Sequence, residues 1–247
     1  DLHSFPTRRS SDLVGAPTES ELIGDGYLVA PSGDLLPERG MNMNIGAIWD
    51  KKVSHGMFQI EVNLFGNYLK DMVRQTRNII QTQYENFGEM RSLGVESEVK
   101  ADMLSWLYGY ANITFQDLRD TRKYEPDSEV PNPTRRLRMP NIPYLMANGG
   151  LEFHKENLFG VRNTNTRLFT DASFVEEYFY DFEQSIYQER RIPRSFRVDV
   201  GVEYSMFGGI LIVSGKLGNV TGAKLFSEFN YPLPGRTFSV RLRYVLK

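Results

Sequence analysis

The 247-residue chain contains no cysteine, which excludes disulfide bonds, thiol chemistry and cysteine-ligated metal sites. No run reaches the roughly 18 apolar residues that a transmembrane helix requires. The N-terminal segment has two adjacent arginines but no apolar run after them, so no signal peptide is predicted there. With a formal net charge of -2, the chain also lacks the concentrated positive field that a nucleic-acid partner requires. These absences still allow a protein that crosses a membrane with strands.

Enzyme motifs are absent as well. The sequence has no P-loop, no dinucleotide fingerprint and no nucleophile elbow. His3 lies in the N-terminal segment, and His55 and His154 are predicted to be solvated residues of short turns. Glu96 and Glu98 share a strand face at about 7 Å, a spacing that glycosidases use. Charged residues on the polar face of a barrel wall need no catalytic role, however. We therefore expect no enzyme, no cofactor and no metal site.

Aromatic residues are abundant instead. The chain has 16 Phe, 13 Tyr and 2 Trp, or 13% of all residues. This is more than a soluble core needs, and Tyr and Trp in particular favour boundaries between apolar and wet surroundings.

Nine segments alternate between apolar and polar residues with a period of two, the pattern of strands with one apolar and one polar face. Most approach the roughly 9 to 11 residues that a tilted strand needs to cross a bilayer. The predicted strands are residues 43–49, 58–68, 93–101, 107–116, 145–153, 161–174, 196–204, 210–217 and 238–246. The charges predicted on their polar faces include Glu96, Glu98, Asp199, Glu203, Arg241 and Arg243.

The connections between these strands alternate between short and long along the whole chain. In an up-and-down sheet, this order places the short turns on one rim and the long loops on the other, as in outer-membrane barrels. A soluble β-sandwich or lipocalin-like barrel produces the same alternation of residues with the apolar face turned inward. Loop sorting, aromatic content and the alternating last strand favour the membrane barrel.

The first thirteen residues match, codon for codon, the translation of a common short-read sequencing adapter. Such a segment is excluded from reasoning about the fold. We expect residues 1–13 to be non-native and residues 14–247 to be the biological segment, part of a longer protein.

Three stretches resemble the C-terminal part of the barrel of TonB-dependent outer-membrane receptors. The first runs from Gly33 to Trp49, with Leu36, Pro37 and Glu38 ahead of a glycine-containing strand. The second, "NFGEMRSLGVESEVKA", begins at residue 86. The third, residues 215–244, is similar to the family's closing Asn-Leu-Thr … Pro-Gly-Arg-x-Phe hairpin.

The resemblance implies an all-β, antiparallel up-and-down transmembrane barrel of 22 strands, of which this chain supplies about nine. It implies active transport of a scarce nutrient, such as a siderophore-iron complex, across the outer membrane of a Gram-negative bacterium. The implied partners are outer-membrane lipid, the barrel assembly machinery at the last strand, a small-molecule or metal-chelate substrate, and TonB through a plug domain absent from this sequence. A complete small passive or structural barrel is the alternative.

The residues that would bind a ligand are expected on the long loops. Rigid rings grip apolar or sugar-like ligands, and arginines bind anionic chelates. The candidates are Tyr178, Phe179, Tyr180, Phe182, Tyr187, Arg135, Arg136 and Arg138. The strand predicted to close the barrel presents Phe238, Val240, Leu242, Tyr244 and Leu246 to lipid; the resemblance is imperfect there, because the family commonly ends on an aromatic residue.

Overall fold

A computed structural model describes residues 3–4, 7–54, 56–77, 82–86, 88–125, 128–182, 190–228 and 231–245 of the chain. Within these residues the protein is almost entirely β-structure, with one short helix, α1 (Glu19–Ile23), and two 3-10 turns. Its strands are β1 (His3–Ser4), β2 (Thr7–Gly15), β3 (Glu38–Val53), β4 (Gly56–Lys70), β5 (Val73–Arg77), β6 (Thr82–Asn86), β7 (Met90–Leu104), β8 (Leu107–Asp120), β9 (Leu145–Glu156), β10 (Asn165–Val175), β11 (Tyr178–Phe179), β12 (Arg191–Ile192), β13 (Ser195–Met206), β14 (Leu211–Gly218), β15 (Phe226–Glu228), β16 (Tyr231–Pro232) and β17 (Thr237–Tyr244).

All nine predicted strands are present, and they form one sheet in the order β3-β4-β7-β8-β9-β10-β13-β14-β17. Every pair of neighbours is antiparallel. Each long strand thus pairs with the next long strand along the chain. The predicted all-β, up-and-down arrangement is confirmed.

The N-terminal segment also joins this sheet. Both β1 and β2 pair with β3 on the side away from β4, with Thr7 opposite Gly46 and Gly15 opposite Glu38. Backbone pairing does not depend on side-chain identity, so the non-native origin of residues 1–13 stays a prediction.

Two predicted details were wrong near the β9–β10 connection. His154 is not in a turn, because the ladder between β9 and β10 continues past it to Glu156, and His154 lies opposite Arg167. Conversely, β10 begins at Asn165 rather than at residue 161. Positive φ angles at Asn157 and Asn163 hold that connection in a turn conformation incompatible with extended strand. His55 and Leu246 lie outside the described residues.

The sorting of connections follows the prediction. Short turns join β3 to β4, β7 to β8, β9 to β10 and β13 to β14, and the long loops all lie at the opposite rim. Three of these loops contain hairpins that the sequence did not predict, formed by β5–β6, β11–β12 and β15–β16. The long-loop rim is therefore built from ordered secondary structure as well as turns.

The sheet has one apolar and one polar face. Paired residues point to the same side, so the registers place Ile45, Leu64 and Val95 together on the apolar face, and Asn63 and Glu96 on the polar face. The apolar face is the exposed one: Ile45 and Leu64 are 53% and 54% exposed. Among the described residues, only two apolar side chains are buried, Met90 and Ile192.

This distribution excludes a soluble sandwich, in which the apolar face would form a buried core. It fits a wall whose apolar face contacts lipid. None of the described helices is both long and apolar enough to span a bilayer.

Aromatic side chains mark two levels on the apolar face. Near the short turns, the rings of Trp49 and Phe58 lie 5.7 Å apart, and near the long loops Phe115 and Tyr144 lie 6.4 Å apart. On β4, ten residues separate Phe58 from Tyr68. At about 3.3 Å per residue and a tilt of about 40°, that stretch rises about 25 Å, the height of an outer-membrane apolar band.

Candidate functional site

Three long loops meet over the polar face at the ends of β10 and β13. They enclose a cavity of 270 Å³, which we call the loop cavity. Its floor is formed by the strand ends, and its sides come from one loop each: Pro143 from residues 121–144, Tyr178 and Ile192 from residues 176–194, and Leu225 and Phe226 from residues 219–236. The remaining lining residues are Ser173, Val175, Pro193, Ser195, Arg197 and Leu233.

The hairpin β11–β12 positions Tyr178. Its backbone pairs with Ile192, which is only 4% exposed. Two contacts fix the adjacent Phe179. Its carbonyl accepts a hydrogen bond of 2.8 Å from Asn141 N–H, and the Arg191 guanidinium lies 4.8 Å from its ring centre. Burial raises the pKa of the Tyr178 hydroxyl, which therefore stays protonated and able to donate a hydrogen bond at neutral pH.

Arg197, on the floor of the loop cavity, belongs to a charged cluster on the polar face. Arg197 donates to both carboxylate oxygens of Asp199, over 2.7 and 2.6 Å, and Lys216 lies 2.9 Å from the same carboxylate. The side chain of Asp199 is 7% exposed, whereas those of Arg197 and Lys216 are 41% and 42% exposed. Arg197 is the member of this cluster that lines the loop cavity, and a second carboxylate, Asp171, lies directly opposite Asp199 on β10.

The same carboxylate anchors the last long loop. Asn219 N–H donates to Asp199 Oδ1 over 2.8 Å. The Asn219 side chain closes its own turn: Nδ2 donates to Ala223 O, and Oδ1 accepts from Ala223 N–H. Asn219 is 2% exposed, so the Asn-Val-Thr tripeptide that starts there is a buried loop anchor in this fold rather than an accessible glycosylation site.

A second buried hub stands at the base of the loop 121–144. Asp120 is fully buried, and its carboxylate accepts hydrogen bonds from Arg122, Asn132 and Thr134. Asn132 Oδ1 in turn accepts a hydrogen bond from the backbone N–H of Thr134, over 3.0 Å. Because these donors all come from the loop, the hub joins the loop to the end of β8 and leaves the buried carboxylate satisfied.

The predicted ligand-binding residues do not form one cluster. Tyr178 lines the loop cavity, and Phe179, Tyr180 and Phe182 are half-buried in the same loop. Tyr187 lies outside the described residues.

The three predicted arginines lie on the other side of the wall. Arg135 and Arg136 are exposed and line a separate cavity of 450 Å³. Arg138 is ion-paired with Asp117 over 3.0 Å. The binding roles of all eight residues stay predictions.

Sequence reasoning missed the floor of the loop cavity. The alternation predicted Arg197 and Asp199 only as polar-face residues of a strand, and it predicted no site role for Ser173 or Ser195. Their position at the long-loop ends of β10 and β13 was visible in the alternation. The strand register was needed to learn which strands lie side by side beneath each loop.

The polar face formed by β3, β4, β7 and β8 is rich in amides. Asn42 lies opposite Asn67 on β3 and β4, and Asn44, Asn63 and Gln116 line the same shallow depression of 520 Å³. Amides donate and accept at once, so this wall suits water or another polar surface. Among the described residues, no group of three or more His, Asp or Glu side chains could hold a metal ion.

An exposed apolar face, a polar inner wall, two aromatic levels and loops sorted to one rim together define the wall of a transmembrane β-barrel. The family model described as "TonB dependent receptor-like, beta-barrel" matches residues 11–220. The chain therefore belongs to the TonB-dependent receptor β-barrel family. No curated protein is a significant match to the sequence.

Solved structures share the fold. The copper transporter OprC superposes with a TM-score of 0.71 at 13% identity, covering 98% of this chain and 36% of OprC. A mutant ferric enterobactin receptor PfeA from Pseudomonas aeruginosa, in complex with enterobactin, gives 0.67 at 12% identity and covers 98% and 39% of the two chains. The siderophore receptor PirA from Acinetobacter baumannii gives 0.66 at 13%, with 98% and 39% covered. The chain spans less than two-fifths of each of these structures.

Proposed function

We propose that this chain is part of an outer-membrane receptor that takes up a small anionic ligand or metal chelate, such as a siderophore-iron complex, by active transport. The observation that carries the proposal is the loop cavity, where three long loops converge over the polar face of a receptor-family barrel wall. In this proposal the chain supplies part of the barrel wall and of the ligand-binding loops.

The chemistry of the loop cavity fits such a ligand. Arg197 brings a guanidinium group to the floor, and the Tyr178 ring with its protonated hydroxyl offers an apolar surface and a donor. At 270 Å³, the cavity is smaller than the roughly 300 to 1,000 Å³ of typical ligand sites. It is therefore one wall of the proposed site, which the rest of the barrel would complete.

The amide-rich polar face supports the second part of the proposal, energisation by TonB through a plug domain inside the barrel. This wall presents Asn42, Asn44, Asn63 and Asn67. Their side chains can replace hydrogen bonds to water by hydrogen bonds to a movable polar domain with little change in free energy. Such a wall suits an occupant that shifts during transport. PfeA is a ferric enterobactin receptor, PirA is a siderophore receptor and OprC is a copper transporter, so a chelated metal is the cargo class proposed here.

Uptake measured in cells tests the proposal. The complete protein that carries this segment is expressed in a Gram-negative host without its own siderophore receptors, and radio-iron uptake from ferric catecholate and hydroxamate siderophores is followed with and without TonB. We expect uptake of at least one chelate that disappears without TonB. Uptake that survives the loss of TonB would instead indicate the passive barrel, and no uptake with any chelate would contradict the proposed cargo class.

A further inference from the structure

Arginines form a row across three neighbouring segments of the apolar face, at the long-loop rim. Arg91 on β7 lies directly opposite Arg119 on β8, and Arg119 pairs in turn with Arg138 through an isolated bridge. Like charges placed directly opposite each other on a sheet repel and destabilise it. A row of three is therefore unfavourable unless an anion lies against it.

The chain supplies little compensating charge. Asp117 accepts from both Arg119 and Arg138, over 2.5 and 3.0 Å, and it is the one carboxylate among the described residues paired with the row. The nearby Glu89 lies 4.0 Å from Lys70 instead. Arg91 has no ion pair among the described residues.

Two more arginines extend the row into a cavity. Arg135 and Arg136 are exposed, and no side-chain hydrogen bond or ion pair holds them within the described part of the chain. They line the 450 Å³ cavity with Arg91, Arg119 and Asp117. We call Arg91, Arg119, Arg135, Arg136 and Arg138 the basic rim; five cations there face one carboxylate.

A residue with a buried hydroxyl also lines this cavity. Thr121 belongs to its lining, and the Thr121 Oγ1 atom is buried without a hydrogen-bond partner among the described residues. Buried polar atoms are normally satisfied. An unmatched donor beside unpaired guanidinium groups suits an oxyanion such as phosphate.

The position of the basic rim along the barrel wall, relative to the membrane, indicates the source of that anion. Arg91 pairs with Tyr68 across β4 and β7, and Tyr68 stands at the upper aromatic level of the apolar face. One step lower on the same face, Leu93 is 46% exposed, as a lipid-facing residue would be. The basic rim thus lies where the acyl region of the bilayer ends and the headgroups begin.

We propose that the basic rim binds the phosphate groups of lipids in the leaflet at the long-loop side of the membrane. Guanidinium groups bind phosphate with paired hydrogen bonds, and lipids are the phosphate carriers that a barrel wall meets at this level. The rim lies on the face opposite the loop cavity, so this lipid site is separate from the proposed transport site and depends only on the fold.

The test uses the complete protein in phosphatidylcholine nanodiscs that contain lipid A with both phosphates or with none. Retained lipid A is counted by native mass spectrometry. The triple variant R91Q/R135Q/R136Q changes only side chains that have no hydrogen-bond or ion-pair partner in the described part of the chain. Each surface arginine near anionic lipid contributes about fivefold in affinity, so we expect the variant to bind bisphosphorylated lipid A about 100-fold more weakly.

A matched control is R162Q/R241Q/R243Q. It removes the same charge from exposed residues, one in a short turn and two on the polar face of β17, and should retain lipid A like the unchanged protein. Equal binding of phosphorylated and dephosphorylated lipid A, or full retention by the first variant, would overturn the proposal. So would displacement of the lipid by millimolar inorganic phosphate alone.

Should the first variant not insert, the unchanged protein still gives a decisive result. Its retention of bisphosphorylated lipid A should fall as sodium chloride is raised, because salt screens exposed charges. A retention that does not change with salt would overturn the proposal.

Discussion

The backbone N–H of Asn219 donates to Oδ1 of Asp199 over 2.8 Å, joining the first residue of the last long loop to the polar face of β13. Asp199 also holds Arg197 and Lys216. One nearly buried carboxylate thus fixes both the floor of the loop cavity and the loop beside it. Removal of the Asp199 carboxylate should therefore disturb both Arg197 and the loop that begins at Asn219.

Asp199→Asn should lower the free energy of unfolding by about 2–3 kcal/mol. Removing one partner of a buried ion pair costs about 3–5 kcal/mol, and the exposure of Arg197 and Lys216 reduces that figure. Urea unfolding of the complete protein in bilayers measures the change. Glu96→Gln is the control: within the described residues its carboxylate has a single long contact, 3.5 Å to Asn63, so its effect should stay within about 0.5 kcal/mol. Equal effects of the two substitutions would contradict the anchoring role of Asp199.

Thr134→Val should cost about 1–2 kcal/mol, because it leaves the buried Asp120 carboxylate without the hydroxyl that lies 2.7 Å away. The matched control is Thr166→Val. Thr166 Oγ1 is buried with no partner among the described residues, so its loss should be neutral or stabilising. The same urea titration distinguishes them, and a Thr166 variant less stable than the Thr134 variant would refute the hub.

The loop 176–194 should be less stable, and its amide hydrogens should exchange faster, in acid. The Glu177 backbone N–H and the Arg194 guanidinium hold the pKa of Glu176 below its ordinary value of 4.5. The stabilisation that a lowered carboxyl pKa provides is complete above 4.5 and is lost as pH falls through the lowered pKa. Hydrogen exchange of residues 176–182, corrected for the intrinsic effect of pH, should accelerate over that window. Glu176→Gln should remove this acceleration; if it persists unchanged, another group is responsible.

Tyr178→Ala should weaken uptake of the transported chelate about tenfold, because an aromatic anchor in a binding site contributes more than about 1 kcal/mol. Concentration dependence of radio-iron uptake gives the change in affinity. Tyr124→Ala removes an aromatic ring that is 55% exposed and lies outside the loop cavity, and it should leave uptake unchanged. If both variants transport like the unchanged protein, the ligand does not contact the loop cavity.

The strands could be predicted because one face of the sheet contacts lipid and the other contacts water. The polarity of the side chains therefore alternates with a period of two along each strand. In β13 that period runs without interruption from Phe196 to Tyr204. The strand ends were less predictable: β3 begins at Glu38 and ends at Val53, although its clear alternation covers only residues 43–49. Beyond the apolar band the ladder continues on backbone hydrogen bonds, which place no demand on side-chain polarity.

The candidate site could be predicted only in part. The sequence favoured Tyr178, because a ring on a long loop is a local feature. Arg197 gains its place from Asp199, from Lys216 on the neighbouring strand and from loops far away in sequence. Likewise, Arg135 and Tyr178 were both predicted only as residues of long loops, and the way the loop 121–144 packs places Arg135 beside Arg91, away from the loop cavity.

Spin-label accessibility along β4 tests the central claim most directly. The chain has no cysteine, so single cysteines can be placed at residues 60 to 64 of the complete protein without background labelling. In bilayers, the ratio of oxygen to nickel-complex accessibility should oscillate with a period of two, high at Ile60, Val62 and Leu64 and low at Glu61 and Asn63. A ratio with the opposite phase, or without oscillation, would contradict a barrel wall whose apolar face meets lipid.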